Sequence, residues 1–334
     1  MRPEPFKKWT RPVRLRLRLG RYLRADLNAW HLNLIAGVGP WDVVEIVRDD
    51  RAIALRLPGL NEIEDDRIHF YYRAFLPVIV YLFSRTEASV NSAIAELNDG
   101  STTASSHLLF SGNCADAVLV PDPEFFNTSG YAMLRQKLRE QRPWHERNDQ
   151  IVWRGATTGL GRPIDDDLDW HACDVRQRIR MCGILKSLSN IDAKIYRVVQ
   201  VPNPEHLLET LKRAEIFGNH VNGLTWLDQK FAIDVDGNTN AWSNLFTRML
   251  YGCCVIKIAS PQKFRQWYYH RMVPWKHFVP VRADLADLVE QIDWCRSHPA
   301  ECREIATASQ ELALSMTFDS ETRYAVDVIN QRLG

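Results

Sequence analysis

The residues from Lys230 to Ile258 constrain the fold more than any other part of the chain. They read KFAIDVDGNTNAWSNLFTRMLYGCCVIKI. The pattern predicts a short apolar strand, a polar loop rich in Asn and Gly, a helix that carries Trp242 and Phe246, and a second apolar strand over Cys253 to Ile258. Open α/β sheets use this order of elements to hold a nucleotide beyond the ends of their strands. The segment therefore indicates a nucleotide or nucleotide-sugar site.

The composition is that of an ordinary globular protein. The 334 residues are 46% hydrophobic and 25% charged, enough for two domains with separate cores. A formal net charge of only +1 argues against a polyanion-binding molecule, so no nucleic-acid partner is expected. The segment from Arg2 to Arg24 is the exception, with nine basic residues against Glu4 alone. It could contact an anionic membrane surface, and a solvated basic tail or a basic edge strand is the open alternative.

Cysteine usage and hydropathy indicate a cytoplasmic protein, peripheral at the inner face of the plasma membrane if the basic segment binds lipid. No apolar run approaches the roughly 20 residues of a membrane span, and charges interrupt every candidate secretory signal near the N-terminus. The cysteines show no zinc-ligand spacing, which predicts reduced and mostly buried thiols. They are Cys114, Cys173, Cys182, Cys253, Cys254, Cys295 and Cys302.

Strands and helices alternate along the chain, which predicts an α/β fold with a parallel sheet and helices on both faces. Residues 42–57 read as a hairpin, residues 77–83 as a buried strand, and residues 87–97 as either a strand or a helix. We place a domain boundary before the QIVWRG strand. The predicted domains are an N-terminal α/β acceptor-side domain over 1–145 and a C-terminal Rossmann-like nucleotide-sugar domain over 146–334, whose last helix could cross back to the first domain.

Three blocks of the chain resemble glycosyltransferase family 90, which includes lipopolysaccharide-modifying enzymes and protein O-glucosyltransferases. They are WRGATTG at Trp153 to Gly159, AIDVDGNTNAWS ending at Ser243, and WYYHRMVPWKHFVPVRADLADL at Trp267 to Leu288, with a weaker block between Glu96 and Phe126. The resemblance implies a GT-B fold of two Rossmann-like domains facing a central cleft. It also implies a UDP-sugar donor, inverting transfer to a hydroxyl, and a glycan or lipid-linked glycan acceptor such as lipopolysaccharide or another surface polysaccharide. Because NQRLG is no endoplasmic-reticulum retention signal, the chain looks like a bacterial-type cytosolic member.

The loop after the QIVW strand is a candidate diphosphate site. A guanidinium can donate two parallel hydrogen bonds to phosphate oxygens, and glycines let backbone amides approach a phosphate closely. The resemblance implies that Arg162 occupies the position of the family's phosphate-binding arginine. An ordinary turn with solvated arginines is the structural alternative. The predicted donor-binding residues here are Arg154, Gly155, Ala156, Thr157 and Arg162.

The polar loop before the Trp242 helix is predicted to present its amides to the donor, because a helix N-terminus favours anions. Helix capping explains some of the same Asn, Thr and Ser residues. Protein O-glucosyltransferases often have an arginine at the position of Leu245 in this chain. Because leucine cannot bind a phosphate, we expect the phosphate contact to come from Arg154, Arg162, Arg248 or Arg282 instead. The predicted contacts are Asp236, Gly237, Thr239, Asn240, Ala241, Trp242 and Ser243.

Asp234 and Asp236 match the Asp-x-Asp pattern by which GT-A enzymes hold a divalent metal beside UDP. GT-B enzymes generally use arginines and helix termini instead, so we expect neither a metal nor another cofactor. Asp236 is then expected to shape the loop or to bind a donor hydroxyl. The run Asp165 to Asp167 is expected to mark a helix start, where carboxylates are favourable.

Asp99 in ELNDGS is the candidate catalytic base, since it follows a predicted strand and can accept a proton there. The resemblance implies the same role, because the family's catalytic aspartate also precedes the block that is LLFSGN in this chain. A surface turn is the structural alternative, and Asp116, Asp122 and Glu87 are the fallback bases. The aromatic cluster around Trp267, Tyr268, Tyr269, Trp275, His277 and Phe278 reads as packing, with ligand stacking and a base role for His277 as alternatives. The predicted function is a UDP-sugar glycosyltransferase, and the alternative is a homologue that binds nucleotide sugars or glycans without catalysis.

Overall fold

The computed structural model describes residues 31–37, 39–49, 52–58, 71–102 and 106–334. The predicted basic segment from Arg2 to Arg24 lies outside these residues. The chain separates into two compact units: the first comprises residues up to Gly130 with 265–267 and 317–334, and the second comprises 131–264 and 268–316. Within the described ranges, no helix has both the length and the apolar character needed to cross a membrane.

The first unit contains a six-stranded mixed sheet. Its strand order is β1-β3-β2-β4-β5-β6. Strand β2 is antiparallel to both β3 and β4, whereas β1 and β3, β4 and β5, and β5 and β6 pair in parallel. The predicted hairpin is confirmed as β2 and β3, and the ambiguous segment 87–97 contains strand β4. The strands are β1 (His31–Ala36), β2 (Val43–Asp49), β3 (Ala52–Leu57), β4 (Ser92–Glu96), β5 (Leu108–Leu109) and β6 (Val118–Leu119).

The second unit contains a five-stranded sheet in which every pairing is parallel. Its order is β11-β10-β9-β7-β8, so the chain adds β8 on one side of β7 and then returns to add β9 on the other. This reversal is the topological switch point of a doubly wound sheet. The α/β prediction is confirmed. The strands are β7 (Ile151–Ala156), β8 (Ile191–Arg197), β9 (Phe231–Asp234), β10 (Cys254–Ile258) and β11 (Val279–Val281).

The segment 77–83 is a helix, so the prediction of a buried strand there is wrong. Seven of the eight residues of helix α1 are buried, and a short run that is apolar on every side shows no period to separate a helix from a strand. Pro77 in its first turn is the signal that favours a helix start. The helices are α1 (Leu76–Phe83), α2 (Pro123–Asn127), α3 (Ala132–Lys137), α4 (Gln177–Leu185), α5 (Pro204–Arg213), α6 (Ser243–Leu250), α7 (Leu288–Ser297), α8 (Pro299–Ser315) and α9 (Phe318–Leu333).

Helix α9 belongs to the first unit. The Phe318 ring lies 5.3 Å from that of Phe126, and Glu321 accepts a 2.9 Å hydrogen bond from the indole of buried Trp267. The helix begins with a capping box between Thr317 and Ser320, which satisfies two otherwise unpaired backbone amides. The last helix is therefore held by both apolar and polar contacts within its own unit.

Candidate functional site

The loops that follow β7, β9 and β10 meet at the switch point of the second unit. They line a small, partly open cavity of about 20 Å³. In open parallel sheets, ligands bind in the crevice beyond the carboxyl ends of the strands at this position. The lining residues are Gly159, Leu160, Gln177, Asp236, Gly237, Asn238, Thr239, Ser260, Pro261, Gln262 and Phe264.

Asp236 is the most unusual residue of this cavity. It is only 4% exposed, and neither of its carboxylate oxygens has a hydrogen-bond partner in the described part of the chain. The Ser260 hydroxyl faces the carboxylate without reaching hydrogen-bond geometry. Burial raises the pKa of Asp236 to about 6, although the positive charges of Lys257 and Arg178 partly oppose the rise. An unpartnered buried carboxylate is costly, which indicates that a ligand supplies its partners.

Two residues before it, Asp234 is fully paired. Its carboxylate accepts from the Lys257 ammonium at 2.8 Å and from the Asn244 side chain at 3.0 Å. Burial alone would lower the pKa of Lys257, but the charges of Asp234 and Asp236 outweigh it, and the pKa is raised. Lys257 therefore stays charged between the two carboxylates, at the C-terminal ends of β9 and β10.

Arg178, in the first turn of α4, joins the loops after β7 and β9. Its guanidinium donates to Thr158 Oγ1 at 2.9 Å, to the Asp236 carbonyl at 2.9 Å and to the Val235 carbonyl at 3.1 Å. These acceptors are neutral, so the bonds position the arginine without cancelling its charge. Burial lowers its pKa, while Asp236 and Asp234 oppose the fall. Arg178 thus places a positive charge beneath the cavity.

The raised pKa of Asp236 predicts a change of stability with pH. Because the folded protein holds a proton on this carboxyl more tightly than an ordinary Asp of pKa 3.8 does, ionisation between about pH 4 and pH 6 costs stability. We expect Asp236→Asn to remove this slope and to raise the free energy of unfolding at pH 7.5 by up to roughly 3 kcal/mol. Urea unfolding at pH 4 and pH 7.5 measures the effect. Asp234→Asn, which unpairs Lys257, is the matched control and should be destabilising; an Asp236 variant no more stable than the parent at pH 7.5 would contradict the argument.

The structure brings three of the predicted loop residues, Asp236, Gly237 and Thr239, to the cavity wall. Asn240 is 2% exposed, and its side chain donates to the Phe264 carbonyl at 3.2 Å, so its contact with a donor stays a prediction. Ala241, Trp242 and Ser243 form the entry to α6, and Trp242 adopts a left-handed φ of +48° directly before the helix. A bulky residue in that conformation is uncommon and is often found near a binding site.

Arg154 and Thr157 lie beside the cavity but are engaged within the sheet. The Arg154 guanidinium forms an ion pair with Asp192 and donates to the Asn219 carbonyl at 2.9 Å. The Thr157 hydroxyl is buried and bonds the amide and the carbonyl of Val199, both at 2.8 Å. These contacts pair β7 with β8 and its following loop, so both side chains have partners within the unit, and their contact with a donor stays a prediction.

Arg162 is partly exposed and pairs with two acids. It is paired with Asp165 and, at 2.6 Å, with Asp174, whose hydrogen bond raises the pKa of the arginine. Since it does not line the cavity, a phosphate role would require this pairing to break. The acidic run does not begin a helix, contrary to prediction, because α4 begins only at Gln177. The acids are used as surface ion-pair partners instead.

The remaining candidate arginines and Leu245 are also accounted for by packing or pairing. Leu245 is fully buried in α6. Arg248 lies 3.7 Å from the centre of the Trp226 ring, and burial lowers its pKa to about 10. Arg282 is exposed and pairs with Asp284 at 2.6 Å. Arg178 is therefore the arginine whose contacts place it at the cavity.

Gly155 and Ala156 end β7, and the glycine is required by packing. A Cβ atom at Gly155 would lie 2.3 Å from the ring of buried Trp153. We expect Gly155→Ala to lower the free energy of unfolding by about 1–3 kcal/mol, since the ring must move. Thermal or urea unfolding tests this. Gly223→Ala is the control, because nothing lies within 4 Å of its added methyl group, and equal losses in both variants would contradict the packing explanation.

Asp99 lies in the first unit, three residues beyond β4. It is half-buried, and the Tyr71 hydroxyl donates to it at 3.3 Å. The Asn98 side chain accepts from the Gly100 amide at 2.9 Å, so the segment is also a turn. Of the fallback bases, Asp122 is fully buried as the N-cap of α2, whereas Asp116 and Glu87 are exposed. Asp99 is thus a half-buried carboxylate in the turn that follows a strand of this sheet.

Most of the aromatic cluster serves packing. Trp267 and Tyr268 are buried, and the His277 ring accepts from the Val273 amide at 2.9 Å, which supports a structural role over a base. Trp275 is 46% exposed. Sequence reasoning missed Arg178, Lys257 and Asn244 as site residues. The sequence signal for Lys257 is that it is the single charged residue in the apolar strand CCVIKI. Arg178 has no such signal, because it is one of several arginines in its segment.

Comparison with known proteins places the chain. Residues 124–332 match the model of "Glycosyl transferase family 90". Protein 179R of Invertebrate iridescent virus 6 is 31% identical over 182 residues, covering 49% of this chain and 15% of that protein. Protein O-glucosyltransferase 2 of Danio rerio is 33% identical over 94 residues, covering 28% of this chain and 18% of that protein. The chain thus spans less than a fifth of the length of these relatives.

Among solved structures, Anabaena HepE in complex with UDP-glucose is 14% identical, with a TM-score of 0.33 over 60% of this chain and 51% of that one. The C-terminal domain of LpcC from Francisella tularensis is 12% identical, with a TM-score of 0.34 over 54% of this chain and 91% of that one. These partial likenesses carry no further argument. The family model alone covers more than half of the chain, and the chain therefore belongs to glycosyl transferase family 90.

Proposed function

We propose that the protein binds a UDP-sugar over the small, open cavity of its second unit and transfers the sugar, with inversion, to a hydroxyl of a glycan acceptor. The family supports sugar transfer, and the cavity lies where doubly wound sheets hold nucleotides. The observation that carries the proposal is Asp236, a buried carboxylate that lines this cavity with both oxygens unpartnered. A donor rich in hydroxyl groups would supply the missing hydrogen bonds.

The anionic part of the donor would lie against two positive features. The loop from Gly237 to Ser243 leads into the N-terminus of α6, whose first backbone amides favour anions. Arg178 adds a formal positive charge beneath the same loop. Electrostatic stabilisation of the charge that develops on a departing diphosphate commonly contributes more to the rate of such transfers than any other effect.

We further propose that no metal or other cofactor takes part. A divalent ion would need the carboxylates of Asp234 and Asp236 as ligands. Asp234 already pairs with Lys257 at 2.8 Å, and the charges of Lys257 and Arg178 act on Asp236. The lysine and the arginine would therefore supply the positive charge that a metal supplies in GT-A enzymes. Activity is expected to survive excess chelator.

For the chemical step, we propose Asp99 as the general base. Its carboxylate would take the proton of the acceptor hydroxyl as that oxygen attacks the anomeric carbon, while the bond to the diphosphate breaks and UDP leaves with the electron pair. Attack opposite the leaving group inverts the anomeric centre. Three observations support this role. Asp99 follows β4, it is half-buried, and it precedes the LLFSGN block, where the family resemblance implies a catalytic aspartate.

The acceptor is proposed from the family resemblance alone. We propose lipopolysaccharide or another surface glycan, met at the cytoplasmic face of a membrane. The nine basic residues between Arg2 and Arg24 would suit contact with anionic lipid.

A donor screen tests the proposed function. Purified protein is incubated with a panel of UDP-sugars, with and without glycan acceptors, and released UDP is measured. Acceptor-stimulated release from one donor is expected, and it should persist in chelator. UDP binding without release from any donor would instead favour a non-catalytic binding protein, whereas loss of release in chelator would favour a metal-dependent enzyme.

A further inference from the structure

Three cysteines that the sequence separates meet in the core of the second unit. Cys254 begins β10, Cys295 lies in the last turn of α7, and Cys302 lies in the first turns of α8. Their sulfur atoms all lie within 4.8 Å of one another, and none of the three residues is more than 1% exposed. We propose that this cluster binds one soft, thiophilic metal ion, and that the ion is monovalent copper.

The spacing of the sulfurs suits a single ion. A metal–sulfur bond of about 2.3 Å places the sulfurs of a flat three-coordinate site roughly 4 Å apart. The sulfurs are already within 4.8 Å of one another, so small side-chain movements would bring all three onto one ion. Their burial excludes a larger ligand such as an organic cofactor.

The donor set selects the kind of ion. Among the described residues, the group contains only cysteine sulfurs, with no histidine or carboxylate to complete a tetrahedron. Zinc in structural sites is almost always four-coordinate, whereas soft sulfur ligands select Cu(I). A single positive charge is also cheaper to bury than a double one.

The surroundings favour a sulfur that carries negative charge. Cys302 lies near the N-terminus of the 17-residue helix α8, whose partial positive charge stabilises a thiolate. The Cys302 thiol donates a weak hydrogen bond to the Cys295 carbonyl at 3.5 Å, which copper binding would replace. When Cu(I) binds, at least one thiol proton must leave for the solvent as the copper–sulfur bond forms, so binding is expected to weaken as the pH falls.

The test is an anaerobic Cu(I) titration against a chromogenic chelator, in a Cys114→Ser/Cys173→Ser background that removes the two more accessible thiols. We expect one Cu(I) per chain, and at least a tenfold loss of affinity in each of Cys254→Ala, Cys295→Ala and Cys302→Ala. Cys253→Ala is the matched control, because that buried thiol instead approaches the Trp226 carbonyl at 3.4 Å, and it should bind Cu(I) like the parent.

The fold of each variant is checked by circular dichroism. If one cysteine variant does not fold, the Cu(I) affinities of the other two still test the site. A chain that takes no Cu(I), or variants that all bind like the parent, would overturn the site. Tighter binding of Zn²⁺ than of Cu(I) would overturn the choice of ion. Since the cluster lies among core residues and not on the cavity wall, none of these outcomes depends on the proposed sugar transfer.

Discussion

Asp99→Asn is expected to lower the rate of sugar transfer by about 10²- to 10⁴-fold, the usual contribution of a general base. An amide of the same shape cannot take the proton of the acceptor hydroxyl, yet the cavity of the second unit keeps its residues. Affinity for UDP, measured by calorimetry, should therefore stay unchanged. Turnover is measured as UDP release from the donor that the screen identifies.

Two controls sharpen this prediction. Asp116→Asn changes an exposed carboxylate of the same unit and should transfer sugar like the parent. Tyr71→Phe removes the hydroxyl that donates to Asp99 at 3.3 Å and should have a smaller effect than the loss of the carboxylate itself. Undiminished turnover in Asp99→Asn would contradict the assignment of Asp99 as the base. Lost turnover in Asp116→Asn would indicate that Asp116 is the base instead.

Lys257→Met is expected to have the largest effect on stability. It leaves the fully buried carboxylate of Asp234 without the ammonium that lies 2.8 Å away. Removing one partner of a buried ion pair typically costs about 3–5 kcal/mol, because the remaining charge is uncompensated. The free energy of unfolding in urea measures this loss.

A double variant separates the lost pair from lost packing. Lys257→Met/Asp234→Leu removes both charges and should recover most of the stability, since replacing a buried pair by apolar groups is often nearly neutral. Lys194→Met, on β8 of the same sheet, is the control for changing a strand lysine and should cost less than about 1 kcal/mol. A double variant as unstable as Lys257→Met would show that the charge pair is not the cause.

Much of the second unit could be predicted because its signals are local. Polar Asn and Gly residues after an apolar strand led directly to the loop at Asp236, and the strand predicted over Cys253 to Ile258 is observed as Cys254–Ile258. The helix at 76–83 could not be predicted from its pattern. Its surface is apolar all round because it is buried all round, and such a run has no periodicity to read.

The site was harder to predict because its charges pair across distant segments. Arg154 looked like a phosphate ligand, but its partner Asp192 lies 38 residues further along the chain and becomes a neighbour only in the folded protein. Arg162 pairs with nearby Asp165 and also with Asp174, which lies 12 residues further along the chain. Arg178 shows the reverse case. Nothing in its own segment distinguishes it, and the loops that it joins are contributed by β7 and β9.

Hydrogen–deuterium exchange with and without UDP tests the central claim most directly, because it locates the ligand without requiring an acceptor. We expect UDP to slow exchange in three segments of the second unit, those that contain Gly159, residues 236–243 and Ser260. The segment of Arg282 should be unchanged. Protection at Arg282, with none at the loop after β9, would contradict a nucleotide-sugar site at the switch point.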